Sequence, residues 1–496
     1  MARAPNLIVI QADNHTRRVA GCYGHDVVRT PSLDRIAARG VRFDNVYSVS
    51  ALCCPSRAGL ATGRYPHQTG YWDNVLAYDG RVPSWMRRLR EAGQSVTAIG
   101  KLHYRSADDD NGLTEEINPM HIVGGRGQVS ALLRWCGREP PMSAQRDVYL
   151  NETGVGTSEY QDYDLDITAR AAQWLGQHKK ESEPWTLVVS YTSPHPPFRV
   201  PQPLLDLYPV DRMPLPRQFA DGERPMHPAV EALRRSKNYR DMWDERDLRR
   251  IAAGYFALVT FVDEQVGALM HATESAGLLD CTRVIYTSDH GELYGNHGLF
   301  GKSCLYEEAV GVPLLIAGPG VPEGRAVRQL VSHVDLFPTI LESAQVAFAR
   351  DENPLPGVSL WPAIEGRETA RTAFAEYHGT GSKAGSFMLR DGGSKLIYHV
   401  GQQPHLFDLE RDPYELHDLG SEPGWAGERA RLERELRAIC DPEAVDARAK
   451  ADQERRAEEF GGTEAILRAG VFRRSPPPGI APDYTHPATT QGRTAV

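Results

Sequence analysis

Short, uninterrupted apolar runs alternate along most of the chain with stretches of helical spacing. Asn6-Leu7-Ile8-Val9-Ile10-Gln11 has the length and β-branched content of a buried strand. Thr30-Pro31-Ser32-Leu33-Asp34-Arg35-Ile36-Ala37-Ala38-Arg39-Gly40 is punctuated as a helix, with a Thr cap, Pro at the first position and Gly at the end. Further strands are predicted at 95–100, 186–192, 283–288 and 312–317, and helices at 82–92, 163–177, 247–276 and 335–345. Strands separated by helices predict an α/β fold: a mostly parallel sheet covered by helices on both faces.

The pattern changes after about residue 372. Ser386–Arg390 and Ser394–Val400, joined by Asp391-Gly392-Gly393, read as a hairpin. Leu406-Phe407-Asp408-Leu409 adds a strand and 426–440 a helix. The expected division is a catalytic unit over 1–371, a small α+β subdomain with an antiparallel sheet over 372–460, and a tail over 461–496 that is Pro-rich from 474. Such a tail reads as loose chain or as an arm reaching a neighbouring subunit of a homo-oligomer. Residues 104–162, rich in Gly, Asp and Glu, read as an irregular insertion.

Several predicted strands end in polar residues suited to chemistry. Asp13 and Asn14 follow the first strand, and Asp289-His290-Gly291 follows the strand at 283–288. Ligands of open α/β sheets collect at such carboxyl ends. Each Asp alone is equally a cap for the next turn. Together, two carboxylates, an amide and an imidazole can hold one divalent cation, which would neutralise a bound oxyanion. Gly100-Lys101-Leu102-His103 follows another strand end, and in an extended chain Lys101 and His103 share a face. His195 sits in the Pro-rich turn Ser193-Pro194-His195-Pro196-Pro197, and Lys302 ends Gly298-Leu299-Phe300-Gly301-Lys302.

The most specific run is Cys53-Cys54-Pro55-Ser56-Arg57-Ala58-Gly59-Leu60-Ala61-Thr62-Gly63-Arg64. It places Cys53 at a helix start, facing free N–H groups and the positive end of the helix dipole. Arg57, one turn on, offers a fork of donors for a tetrahedral oxyanion. This run resembles the maturation signature of the sulfatase family, whose first Cys is oxidised to Cα-formylglycine; the hydrated aldehyde is the nucleophile. The matching residue is Cys53, and Cys54 fills a variable position.

The resemblance extends from residue 6 to about residue 420. It implies an alkaline-phosphatase-like fold, a formylglycine-generating maturation enzyme as partner, and a small anionic ester as substrate. By the same resemblance Asp13, Asn14, position 53, Asp289 and His290 hold the metal. Ca²⁺ is the first expectation. An amide after the first Asp and a His after the second, as in choline sulfatases and phosphonate monoester hydrolases, bring Mn²⁺ close behind. Lys101 with Arg57 falls on the clamps for the anionic oxygens, His103 on the hydrate hydroxyl, and His195 with Lys302 on the leaving group. Asn74 matches a substrate-binding Asn of choline-sulfatase-like sequences. The implied reaction is hydrolysis of a sulfate ester; a phosphonate monoester or phosphodiester hydrolase is the alternative.

Composition narrows the setting. With 41% hydrophobic and 24% charged residues the chain is an ordinary globular protein, and a net charge of −9 argues against nucleic acid as a partner. No apolar run approaches a membrane span. No basic, apolar and small-residue succession precedes residue 6, and the seven cysteines are scattered. These features predict a cytoplasmic protein without a disulfide framework.

Overall fold

A computed structural model describes residues 4–134, 145–179, 183–239, 243–347, 354–472 and 474–485. Its main sheet has eight strands: β1 (Asn6–Ala12), β2 (Gly40–Tyr47), β3 (Ser95–Lys101), β4 (Glu115–Met120), β5 (Trp185–Ser190), β6 (Thr282–Ser288), β7 (Leu314–Ala317) and β8 (Arg325–Ser332). Their order is β8-β2-β7-β6-β1-β5-β3-β4, and all neighbours are parallel except β7, which runs against β2 and β6. Every residue of β1 is buried, as the unbroken apolar run requires of a central strand.

Helices cover both faces: α1 (Pro31–Ala38), α2 (Cys53–Thr62), α3 (Trp85–Glu91), α4 (Glu159–His178), α5 (Pro228–Ser236), α6 (Glu245–Ser275) and α7 (Leu336–Ser343). A second, antiparallel sheet follows, made of β9 (Thr372–Tyr377), β10 (Ser386–Asp391), β11 (Ser394–His399) and β12 (His405–Asp408) in sequential order. Helix α8 (Ala426–Ile439) packs on it through Leu432 and Leu436, and α9 (Pro442–Glu459) continues beyond.

The predicted α/β architecture is the observed one. It omitted the interior strand β2, whose apolar positions are interrupted by Arg42, Asp44 and Asn45, and both edge strands. β4, within the stretch read as insertion, has the polar sequence Glu-Glu-Ile-Asn-Pro-Met and pairs only with β3. An edge strand tolerates Pro and charge, so it lacks the apolar signature of its neighbours. The other edge strand, β8, alternates exposed Ala326 and Arg328 with buried positions. The C-terminal unit holds more helix than the one predicted. The tail, read as loose chain or an intersubunit arm, folds back on its own chain as far as residue 485. Arg474 pairs with Glu152 and Glu159 at 2.7 Å each, and Tyr160 Oη donates to Ser475 O at 2.6 Å.

Register sets the functional end of the sheet. Ala12 is level with Ser288 of β6, Gln11 with Ser190 of β5, and Ser190 with Gly100 of β3. The next residues along these strands, Asp13, Asp289 and Lys101, therefore emerge side by side.

A buried charge cluster joins the two sheets. Lys395 Nζ lies 3.0 Å from Glu307 Oε1 and 2.7 Å from Glu415 Oε1, all three residues being almost wholly inaccessible. Glu415 also accepts from the backbone N of Glu307 at 2.6 Å. Burial alone would lower the Lys395 pKa; the two carboxylates outweigh it and push it up. Glu415 belongs to the run Leu406–Leu416, whose apolar Leu406 and Phe407 are core residues. Lys395→Met should leave two buried carboxylates without their cation and cost about 3–5 kcal/mol of stability. Arg437→Ala, which opens a half-exposed pair with Glu443, should cost less than about 1 kcal/mol. Urea unfolding of both variants checks the contrast.

Candidate active site

Helix α2 starts at the carboxyl end of the sheet. Leu52, extended at φ −156° and ψ 138°, turns the chain into it, and Ser56 N closes the first turn on Leu52 O at 3.0 Å. Cys54 N, one of the free N–H groups of the first turn, donates to Asn74 Oδ1 at 3.0 Å. Asn74 thus caps the helix from a distance and keeps Cys53 in place. The cap uses its carbonyl; its amide group has no partner among the described residues.

Cys53 Sγ stands 3.1 Å from His290 Nε2 and 3.9 Å from Asp13 Oδ1. One donor atom from each of Asp13, Cys53, Asp289 and His290 lies within 4.8 Å of the others, and all four residues are buried. The two carboxylates divide their oxygens. Asp13 Oδ2 takes Lys101 Nζ at 2.6 Å and an Arg57 terminal nitrogen at 3.1 Å, while Oδ1 faces Cys53 and His290. Asp289 Oδ2 takes Arg57 Nε at 2.9 Å, while Oδ1 lies 3.7 Å from His290 Nε2. His290 Nδ1 is 3.1 Å from Gly291 O, a contact that protonates Nδ1 and leaves the Nε2 lone pair for the cluster. Two carboxylate oxygens and one imidazole nitrogen converging beside Cys53 fit a divalent cation.

The electrostatics are uneven. Burial raises the pKa of Asp13, but Lys101, His195, Arg57 and Lys302 together hold it well below the usual carboxylate range. Asp289 is pushed up to about 6 by burial and by the Asp13 charge. Burial lowers His103 and His195; Lys101 and Arg57 add to the first, Lys302 to the second. Both rings are therefore neutral. Among the described residues neither nitrogen of His103 has a hydrogen-bond partner, although the ring is buried. His195 donates through Nδ1 to Pro196 O at 2.7 Å, which leaves its Nε2 for a ligand. His195 and Lys302 line one small cavity with Tyr149, Ser303 and Arg474.

Two sequence expectations change. Arg57 is not open to a substrate's oxygens: its nitrogens are taken by Asp13, Asp289, the Lys101 carbonyl at 2.6 Å and Ser190 Oγ at 2.9 Å. Its place is beneath the carboxylates, holding them. Asn14, placed by the sequence among the ligands, instead accepts from Lys302 Nζ through Oδ1 at 2.8 Å and donates through Nδ2 to Glu292 at 2.7 Å. It orients Lys302. The residue behind it, Glu292, was not singled out by the sequence. It also accepts from Tyr149 Oη at 3.2 Å and Tyr294 N at 3.0 Å. Its signal was the carboxylate two residues past His290, which extends the polar strand end. Trp72 is buried with its indole N–H on Asp452 at 2.8 Å. Trp135 and Cys136 lie outside the described residues.

Comparison with known proteins places the chain in a family. Residues 5–346 match the Sulfatase family, and residues 295–441 match the C-terminal region of N-sulphoglucosamine sulphohydrolase. The chain belongs to the sulfatase family and is a sulfuric ester hydrolase. It is 31% identical over 468 residues to choline-sulfatase of Rhizobium meliloti (strain 1021), covering 91% of this chain and 90% of that one. To arylsulfatase K of Rattus norvegicus it is 31% identical over 477 residues, covering 90% and 80%. Its fold superimposes on phosphonate monoester hydrolase of Agrobacterium radiobacter with a TM-score of 0.71 at 24% identity, over 90% of this chain and 96% of that one.

The place of Arg57 gives a prediction. Arg57→Lys keeps the charge but cannot reach both carboxylates at once. Metal content and kcat should fall together, activity by about 10²-fold or more, since misplacement of about 1 Å has that effect. Circular dichroism should stay native. Full metal occupancy with lost activity would return Arg57 to the substrate's oxygens.

Proposed function

We propose that the protein hydrolyses a sulfate ester to an alcohol and inorganic sulfate, with Cys53 oxidised to Cα-formylglycine. The observation that carries this reading is the position of Cys53: first residue of α2, with Sγ 3.1 Å from His290 Nε2 and inside the Asp13–Asp289–His290 cluster. The Cys53 thiol here stands in for the hydrate hydroxyl that would attack sulfur in the mature enzyme. Asp13, Asp289, His290 and position 53 would hold one divalent cation. When bound, that ion neutralises ester oxygens and favours the ionised hydrate. Ca²⁺ follows from the family resemblance, and the imidazole donor admits Mn²⁺.

The chain's own groups divide the remaining work. Arg57 fixes the two carboxylates. Lys101, buried beside Asp13, stabilises charge on the transferred group. His103, with two unpartnered nitrogens, moves the hydrate proton. His195, neutral in the free enzyme with its proton on Nδ1, takes up a second proton at Nε2 when the anionic ester binds beside it and delivers that proton to the departing oxygen; Lys302, oriented by Asn14, stabilises charge there. The amide of Asn74 is available to the substrate. The shared cavity of His195 and Lys302 supports placing both at the leaving group.

Cys53→Ala should abolish turnover, while Cys54→Ala, whose thiol burial pushes out of the reactive range, should retain most of it. Peptide mass spectrometry across Cys53 should find the aldehyde in active protein. An active Cys53→Ala variant would overturn the assignment. Paired assays of a sulfate monoester and a phosphate diester with one leaving group separate sulfatase from phosphodiesterase chemistry.

A leaving-group series tests the proton donor. An alkyl sulfate departs as a strongly basic alkoxide and needs the acid; a nitrophenyl sulfate departs as a stabilised phenolate and does not. His195→Ala and Lys302→Ala should lose about 10²-fold or more in kcat/KM with the alkyl ester and much less with the aryl ester. Equal losses across the series would remove both residues from the leaving oxygen.

A further inference from the structure

Away from the active site, three histidines meet where the C-terminal sheet touches the main body. His399 ends β11 and His405 begins β12, on either side of the connecting turn. His227 precedes α5. One ring nitrogen from each lies within 4.8 Å of the others. His399 Nε2 and His405 Nδ1 are 3.0 Å apart. Tetrahedral metal–nitrogen bonds of about 2.0–2.1 Å place ligand nitrogens about 3.3 Å apart, so this pair already has nearly the bite of a metal site.

The surroundings suit ligation. His399 Nδ1 lies 2.8 Å from Ser386 Oγ, the outer hydrogen bond that orients a ligating ring. His227 Nε2 donates to Gln403 O at 2.6 Å, and Nδ1 caps the helix by accepting from Ala229 N at 3.2 Å, a bond that ligation through Nδ1 would replace. His399 and His405 are 8% and 2% exposed. Burial pushes His399 down to about 3 and His405 well below the usual range, so both rings are neutral, the form that binds metals. As a purely hydrogen-bonded group the trio is one partner short. Among the described residues His405 Nε2, the ring nitrogen opposite the Nδ1 that faces His399, is buried and unpartnered, and no choice of tautomers for the His399–His405 pair supplies it with a partner. A buried polar group left over in this way points to an unplaced ion or water. A cavity of about 30 Å³, lined by His399, His405, Ser386, Ser303 and Cys304, adjoins the pair. That is room for a water completing a coordination shell.

We propose that His227, His399 and His405 form a second metal site, separate from the catalytic cluster, which takes a zinc-class transition ion. Three imidazoles without a carboxylate select Zn²⁺ and its neighbours over Ca²⁺ and Mg²⁺. The ion clasps the segment entering α5 to the hairpin of the C-terminal sheet.

The test uses full-length protein stripped by chelator and dialysed against Zn²⁺, with Ca²⁺ in parallel. Asp289→Asn removes a ligand of the catalytic cluster so that zinc there does not confuse the count. This variant should retain one Zn²⁺ per chain and show a zinc-dependent rise in Tm. Adding His227→Asn or His405→Gln should weaken Zn²⁺ binding at least tenfold and abolish the Tm rise, with no matching effect of Ca²⁺. Co²⁺ should give visible absorption bands of a nitrogen-ligated site in Asp289→Asn and not in the double variants. His227 is half-buried and outside the core, so its variant decides the matter if His405→Gln folds poorly. Equal zinc content in Asp289→Asn and its His227→Asn derivative, or no zinc in Asp289→Asn, would overturn the proposal.

Discussion

The guanidinium of Arg57 is the contact on which the catalytic end of the sheet depends. Asp13 and Asp289 leave adjacent strands side by side and are wholly buried. Two such carboxylates would repel each other and would each lose hydration worth several kcal/mol. Arg57 bridges one oxygen of each from helix α2. The helix that carries Cys53 is thereby tied to the two strand ends that carry the candidate ligands. The position of Cys53 and the carboxylates' ionisation thus rest on one side chain, whose nitrogens are all engaged by the protein. Lys101 repeats the arrangement from β3.

The same principle operates where the two sheets join. Lys395 sits between Glu307 and Glu415 with no solvent to share the charge. Glu307 also receives Arg17 at 3.0 Å and Tyr47 Oη at 2.9 Å. Groups from the main sheet, from β11 and from the loop after β12 are thus held in one buried network. Apolar packing alone would allow the smaller sheet to slide. A buried charge with fixed partners does not, because any shift leaves an ion unpaired in a medium that cannot solvate it.

The sequence showed the parts of this design that have a local signature. The central strands were visible because burial on both faces makes them continuously apolar, as in Leu7–Ile10 and Val284–Tyr286. Strands without that signature were not visible: β2, interior but broken by Arg42, Asp44 and Asn45, was missed, and the polar, Pro-containing β4 looks like loop until β3 is beside it. Among site residues, Cys53, Asp13, Asp289 and His290 could be named because a turn or strand end fixes their position within a few residues. The structure gathers those four. What Arg57 and Asn14 touch could not be read, because their partners lie 232 and 278 residues away, in Asp289 and Glu292. A donor's type is written in the sequence; which acceptor claims it is decided only by register. Glu415 was missed for the same reason, since its partners Glu307 and Lys395 come from two other segments.

The distribution of charge has a further consequence for substrate choice. Arg57, Lys101 and Lys302 stand against Asp13, Asp289 and Glu292, so the site is formally balanced before any ligand enters. Buried and balanced, it has little attraction for an anion. A divalent cation between Asp13 and Asp289 would tip the site to a formal charge of +2 without disturbing the oxygens already bound to Arg57 and Lys101, because the other oxygen of each carboxylate faces the cluster, Asp289 Oδ1 being held there by the backbone N of His290 at 2.9 Å. Attraction for a sulfate ester would then appear only once the metal is in place. On this argument the internal cations do not compete with the metal for Asp13 and Asp289. They neutralise the far oxygens, keep the pair ionised and oriented, and leave the near ones as a preorganised seat.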